Sequence, residues 1–245
     1  MSGGWLCVAG LGPGDAALIT PQVQQALQEA TDVLGYGPYL ERVTLRPDQR
    51  RHASDNRAEL ERARHGLRLA QAGQRAVIVS SGDPGVFAMA AAVFEAMEAE
   101  PAWQQLEVRV LPGVTAMLAA AARLGAPLGH DFCAINLSDN LKPWAVIERR
   151  LALAVQADLV LALYNPRSRS RPEGFARALA VLHRHCEPQR WVGLARAVFT
   201  PQESVRYLPL AQVQPEMADM RTLVIIGSRA TRTVGRYLYT PRRVD

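Results

Sequence analysis

Short, continuous apolar runs alternate along this chain with longer stretches in which apolar residues recur at helical spacing. The first run, Leu6 to Leu11, is apolar throughout, as a strand buried on both faces of a parallel sheet must be. From Thr20-Pro21 the period changes. Thr20 supplies an N-cap, Pro21 suits the first helical position, and Val23, Ala26, Leu27 and Ala30 fall on one face. A second strand is predicted from Val33 to Tyr36. A polar run through Arg50, Arg51, His52, Ser54, Asp55 and Asn56 is expected to cap a helix from Arg57 to Ala72, with Leu60, Leu67 and Ala70 inward and Gly73 at its end. Arg75 to Ser80 reads as a buried strand, followed by a helix rich in Ala and Met. Glu107 to Leu111 is a further strand, followed by an alanine-rich helix through Leu124.

Leu124-Gly-Ala-Pro-Leu128 breaks the pattern, which then restarts. A strand is predicted at Phe132 to Leu137, and a helix from Pro143 with Trp144, Ile147, Leu151 and Val155 on one face. Then come a strand at Asp158 to Leu163, a helix through His185 and a strand at Trp191 to Arg196. Glu203 to Tyr207 and Thr222 to Gly227 read as late, partly antiparallel strands. This order is that of an α/β protein, with two α/β domains expected at 1–116 and 117–245 and no detectable internal repeat. The junction of two such halves is a natural place for a cleft.

Three predicted strands run into glycine-containing loops. They are Gly10-Leu-Gly-Pro-Gly-Asp15, Ser81-Gly-Asp-Pro-Gly85 and Pro112-Gly-Val-Thr-Ala116. Glycine lets the backbone turn sharply and lets a ligand approach with no Cβ in the way. Loops at the carboxyl ends of parallel strands are where open α/β sheets bind small molecules, so three at one edge predict a composite site. Two common nucleotide readings fail. A dinucleotide fingerprint needs G-x-G-x-x-G and an acid ending the second strand; here Asp15 takes the third glycine's place, and Asp32 precedes the strand. A phosphate-binding P-loop needs G-K-[ST], and the one lysine, Lys142, is far along the chain. Tyr36 and Tyr39, between Gly and Pro, suit either a pocket lining or ordinary packing.

The chain has 245 residues, of which 49% are hydrophobic, so a sizeable core can form. No apolar run is long enough to span a bilayer, and the N-terminus carries no basic segment of a signal peptide. Cys7, Cys133 and Cys186 share no C-x-x-C spacing; a reducing cytoplasm is expected, with no metal site. The net charge is +5 and all basic residues but Lys142 are arginine. Arginine binds carboxylates and phosphates in bidentate fashion, so a polyanionic ligand is one reading and a solvated surface the other. No nucleic-acid-binding motif accompanies the charge.

The three loops, with Y-N-P at 164–166 and T-L-V-I-I-G at 222–227, resemble the tetrapyrrole methyltransferase family along nearly the whole chain. The stretches L-G-A-P-L-G-H-D-F-C-A-I-N-L-S-D (124–139), S-S-G-D-P-G-V (80–86) and L-Y-N-P-R-S (163–168) are similar to one branch of it. That branch methylates C17 and contracts the ring of precorrin-3B in cobalamin synthesis. An anaerobic counterpart acting on a cobalt-containing precorrin is the rival; some of its members carry an additional cysteine-rich iron–sulfur region, which this chain lacks.

The resemblance implies a class III methyltransferase fold of two α/β domains, a homodimer, and S-adenosylmethionine held in the cleft between the domains. It implies that Pro13 borders this cofactor, that Ser81, Gly82, Asp83 and Val86 hold its amino-acid and ribose parts, and that Thr115 and Ala116 contact it. Tyr164, Asn165, Ala197 and Thr222 are implied for the adenine side. The substrate implied is a polycarboxylate tetrapyrrole. Tyr36 and Tyr39 could stack on it, and Arg50, Arg51, Arg167, Arg169 and Arg171, with Ser138, could meet its acid arms. Ring contraction starts from a tertiary alcohol and requires a base. Asp15, His52, Asp139 and His130 are the candidates by position. Family members acting on uroporphyrinogen have an aspartate where this chain has Gly37, so that base is absent.

Overall fold

The structure, a computed structural model, describes residues 3–55 and 58–243. The chain divides into two compact units, Met1–Thr115 and Ala116–Asp245.

The first unit contains strands β1 (Trp5–Gly10), β2 (Asp32–Tyr36), β3 (Arg50–Ser54), β4 (Arg75–Ser80) and β5 (Glu107–Leu111). They form one sheet in the order β3-β2-β4-β1-β5, parallel throughout. Its helices are α1 (Pro21–Glu29), α2 (Gly37–Leu40), α3 (Glu59–Gln71) and α4 (Met89–Ala99). Alternate residues of β1 serve opposite faces. Trp5, Cys7 and Ala9 pack with Val23 and Ala26 of α1, whereas Leu6 and Val8 pack with Leu67 of α3 and Val93 of α4. Both faces are covered, which is why the apolar run was unbroken. Thr20 caps α1 through its side chain, as its position predicts.

The polar run from Arg50 is a strand, β3, at the sheet edge; polar residues on both its faces hid the period of two. Gly37–Leu40, for which no element was predicted, is a short helix. Helix α3 starts after Ala58, which makes no side-chain cap; the predicted capping residue Asn56 and helix start Arg57 lie outside the described residues. Asp32 opens β2 rather than preceding it.

The second unit contains α5 (Ala116–Leu124), β6 (Gly125–Ala126), β7 (Phe132–Asn136), α6 (Trp144–Gln156), β8 (Val160–Tyr164), α7 (Gly174–His185), β9 (Trp191–Arg196), β10 (Ser204–Pro209), β11 (Thr222–Ile226), β12 (Arg232–Val234) and β13 (Tyr237–Tyr239). The main sheet has the order β10-β9-β11-β8-β7. Strands β7 and β8 are parallel, while β11 runs antiparallel to β8 and β9, and β10 antiparallel to β9. One face packs on Ile147 and Leu151 of α6 and on Phe175, Leu179 and Leu182 of α7. The expected break at 124–128 holds β6, which pairs with β13 in a small three-stranded sheet.

Cys7 is buried in β1 and burial pushes its thiol up to about 12, with Arg109 pulling weakly the other way. Cys133 and Cys186 are partly buried, and all three cysteines are free. Among the described residues no helix is long and apolar enough to cross a membrane.

Candidate functional site

Strands β4, β1 and β5 are neighbours, so their carboxyl ends at Ser80, Gly10 and Leu111 lie side by side. The loops that leave them touch through glycine. The Leu11 amide donates to the Ser80 carbonyl at 2.8 Å, and Gly12 and Gly82 exchange amide–carbonyl bonds of 3.1 and 3.0 Å. Gly12 and Gly82 adopt φ of +66° and +64°, which suits glycine. A Cβ on Gly10 would lie 2.7 Å from both the Gly113 nitrogen and the Gly82 oxygen, and one on Gly113 would lie 2.2 Å from that oxygen. Three backbones therefore meet where no side chain fits. Asp83 pins them: one carboxylate oxygen accepts from the Gly85 amide at 2.8 Å and the other from the Gly113 amide at 3.0 Å. It is thus both the turn residue of its own loop and the link to the next. Gly85 is exposed and Val86 half-buried, while Thr115 is buried.

The connection after β2 braces this junction. Arg42, which no sequence signal marked, donates through Nη2 to the carbonyls of Leu11, Gly12 and Gly14 at 2.7, 3.1 and 3.3 Å. The Tyr39 hydroxyl lies near Ser81; burial raises the phenol above its ordinary range, against the pull of nearby Arg42. Tyr36 stands edge-on to Tyr39 with ring centroids 5.3 Å apart. The sequence left Tyr39 between pocket and packing; the structure packs its ring edge-on to Tyr36 with the side chain partly buried.

The second sheet gathers its candidates in the same way. Asn136 and Tyr164 end parallel strands, and Thr222 begins antiparallel β11 opposite Arg196, the end of β9, so all lie at one edge. Asn136, which the sequence did not single out, accepts at Oδ1 from the Ser138 amide at 2.9 Å and from the Asn165 side chain at 3.0 Å. Asn165 and Ala197 hold left-handed φ of 54° and 48°, costly for a residue with a Cβ and typical of constrained sites. The Tyr164 hydroxyl accepts from the Met117 amide at 3.0 Å, satisfying an open donor at the start of α5. Buried Thr222 donates to Asp219 at 2.9 Å, and Asp219 pairs with Arg196. Burial alone would raise the Asp219 carboxyl, but the bonds from Arg196 and Thr222 leave it below the usual range.

The arginines and base candidates are placed less uniformly. Arg167 donates to the carbonyls of Ala218 and Glu216, and Arg171 to those of Leu137 and Asn165. Arg169 is exposed. Arg50 is not in a loop: it forms a bidentate pair with buried Asp32, at 2.8 Å for both bonds, at the amino end of β2 and β3. Arg51 follows it there. The glycine loops leave the opposite, carboxyl ends, so the structure does not bring Arg50 or Arg51 to them. His52 is turned to the same carboxylate, with Nε2 2.8 Å from Asp32, and packs edge-on to His65 of α3. Asp15 is exposed at the end of the first loop, where it accepts from the Ala17 amide at 2.9 Å. Asp139 is exposed beyond the carboxyl end of β7, and His130 precedes the amino end of the same strand.

Residues 6–214 fit the profile of the tetrapyrrole (corrin/porphyrin) methylases, and the protein belongs to that family. It is 53% identical over 245 residues to a precorrin-3B C(17)-methyltransferase of Sinorhizobium sp, covering 98% of this chain and 96% of that one. Among solved structures, the methyltransferase CobJ superposes with a TM-score of 0.95 at 57% identity, covering 97% of this chain and 100% of that one. A uroporphyrin-III C-methyl transferase from Thermus thermophilus, complexed with S-adenosyl homocysteine, shares the fold with a TM-score of 0.67 at 24% identity, covering 91% and 97%.

Proposed function

We propose that this protein is an S-adenosylmethionine-dependent methyltransferase. It transfers a methyl group to C17 of precorrin-3B and contracts the macrocycle to precorrin-4 in cobalamin biosynthesis. The observation that carries the reading is the 53% identity, along nearly the full length of both chains, to an enzyme named for that reaction.

The residues fit such a cofactor. At Gly10 and Gly113 the backbones of the three loops pack too closely to admit a Cβ, so the loops proposed to meet the cofactor are fixed against one another. We assign Pro13, Ser81, Gly82, Asp83, Val86 and Thr115 to it from the first unit, and Ala116 from the start of the second. Tyr164, Asn165, Ala197 and Thr222 are assigned from the second. When bound, S-adenosylmethionine supplies an activated methyl on a sulfonium. The chain's own contribution is to orient the acceptor carbon and exclude water.

For the base we retain Asp15 and Asp139, exposed carboxylates at loop ends. His52 is set aside because Asp32 holds it. Arg169, with Tyr36 and Ser138, is proposed for the acid arms of the substrate. Arg167 can join them through Nη1, since its bonds to carbonyls use Nε and Nη2. The domains are taken as 1–116 and 117–245. The protein is proposed to act in the cytoplasm as a homodimer.

The test is anaerobic incubation of purified protein with S-adenosylmethionine and either precorrin-3B or its cobalt-containing counterpart, read by mass spectrometry and absorbance. One added methyl on precorrin-3B, with the spectrum of a contracted ring, supports the proposal. Turnover of the cobalt compound alone moves the protein to the anaerobic reaction. No transfer to either, together with no binding of S-adenosyl homocysteine in a calorimeter, overturns it.

A further inference from the structure

We infer that Arg42 is a positioning residue for the methyl donor, acting through the first glycine loop. The inference rests on the proposed cofactor site. The loop from Leu11 to Asp15 holds two glycines and has little conformational preference of its own, so its shape must be imposed. Arg42 imposes it. Bonds from Nη2 to the Leu11, Gly12 and Gly14 oxygens fix the orientation of the peptide planes 11–12, 12–13 and 14–15. These planes flank Pro13 on both sides. A single NH2 group has two protons, so the three contacts share them, the shortest being that to Leu11. No other side chain in the described contacts binds these three carbonyls.

Arg42 is itself anchored. It follows α2, and its own amide donates to the Tyr39 carbonyl at 3.2 Å. The Tyr39 hydroxyl in turn lies near Ser81 in the loop after β4. One short segment, 39–42, thus holds the first loop assigned to the cofactor and borders the second. A lysine in place of Arg42 presents a single ammonium without the planar fork and cannot serve the three oxygens in the same way.

The experiment compares Arg42→Met and Arg42→Lys with Arg46→Met. Arg46 lies in the same connection and also binds backbone carbonyls, those of Gln28 and Ala30, but none in a glycine loop. Binding of S-adenosyl homocysteine is measured by calorimetry, and turnover is resolved into KM for each substrate and kcat. The expected result is a rise in the dissociation constant of about tenfold or more for Arg42→Met, partial recovery in Arg42→Lys, and no change for Arg46→Met. KM for S-adenosylmethionine rises with it, and KM for the tetrapyrrole does not. If Arg42→Met fails to fold, Arg42→Lys is read alone against wild type, by the same constants. Wild-type affinity in the folded Arg42 variants overturns the inference and leaves the function standing. Absence of binding in the wild type overturns the function, and this inference with it.

Discussion

Asp83 and Gly113, from the loops after β4 and β5, are joined by a 3.0 Å bond from amide to carboxylate. The other oxygen of Asp83 holds the Gly85 amide. Replacing Asp83 by Ala leaves two loop amides without a partner, and a charged acceptor's hydrogen bonds are worth about 1.5–3 kcal/mol each. Asp83→Ala is expected to lower the melting temperature and weaken S-adenosyl homocysteine binding together. Asp83→Asn, which keeps one acceptor, falls between. Calorimetry on both variants checks the order.

Glycine at position 113 is a steric requirement. A Cβ there would stand 2.2 Å from the Gly82 oxygen, a backbone atom that cannot swing away. Gly113→Ala is expected to cost about 2–3 kcal/mol or more through strain and lost junction bonds. At Gly37 a Cβ meets nothing within 4 Å, so Gly37→Ala is expected to be neutral or slightly stabilising. Urea denaturation of the two variants separates a packed glycine from a free one.

Asp32 makes stability depend on pH. Burial opposes its charge, yet the bonds from Arg50, His52 and Thr31 hold its carboxyl below the ordinary range. A carboxyl lowered by folding stabilises fully above its unfolded pKa near 4, and that contribution fades as pH falls through the folded value. Asp32→Asn should therefore lose about 2 kcal/mol at pH 7 and approach the wild type as the pH drops below about 4. Denaturation midpoints at a series of pH values check both the size and the sign.

Tyr164→Phe removes the hydroxyl that receives the Met117 amide and leaves the start of α5 with an unpaired donor. About 1 kcal/mol of stability is expected to go. If Tyr164 and Ala116 serve the cofactor as proposed, S-adenosyl homocysteine binding weakens as well. The variant's folding free energy and affinity are measured side by side.

Elements buried on both faces were legible in the sequence, because burial writes an unbroken apolar run. Strands β1 and β4 fall within a residue of their predicted bounds. Edge strand β3 was not, since its polar residues serve Asp32 and solvent. Nor was β6, whose two residues are a strand only through distant β13. The glycine loops were legible as a set, but what holds them was not. Arg42, Arg167 and Arg171 each direct some of their donors to carbonyl oxygens, and a carbonyl leaves no mark in a sequence. An arginine excess read as charge for an acidic substrate is therefore in part internal bracing. Asp32, at the right distance for a ribose-binding acid, proved to begin its strand and to hold Arg50 at the sheet's other end.

The most direct test of the account follows the methyl group itself. Precorrin-3B would be incubated with the protein and S-adenosylmethionine carrying an isotopically labelled methyl, and the product examined by NMR. The account predicts the label on C17 of a contracted macrocycle. Label on another carbon, or none in the tetrapyrrole while the cofactor binds, would contradict it.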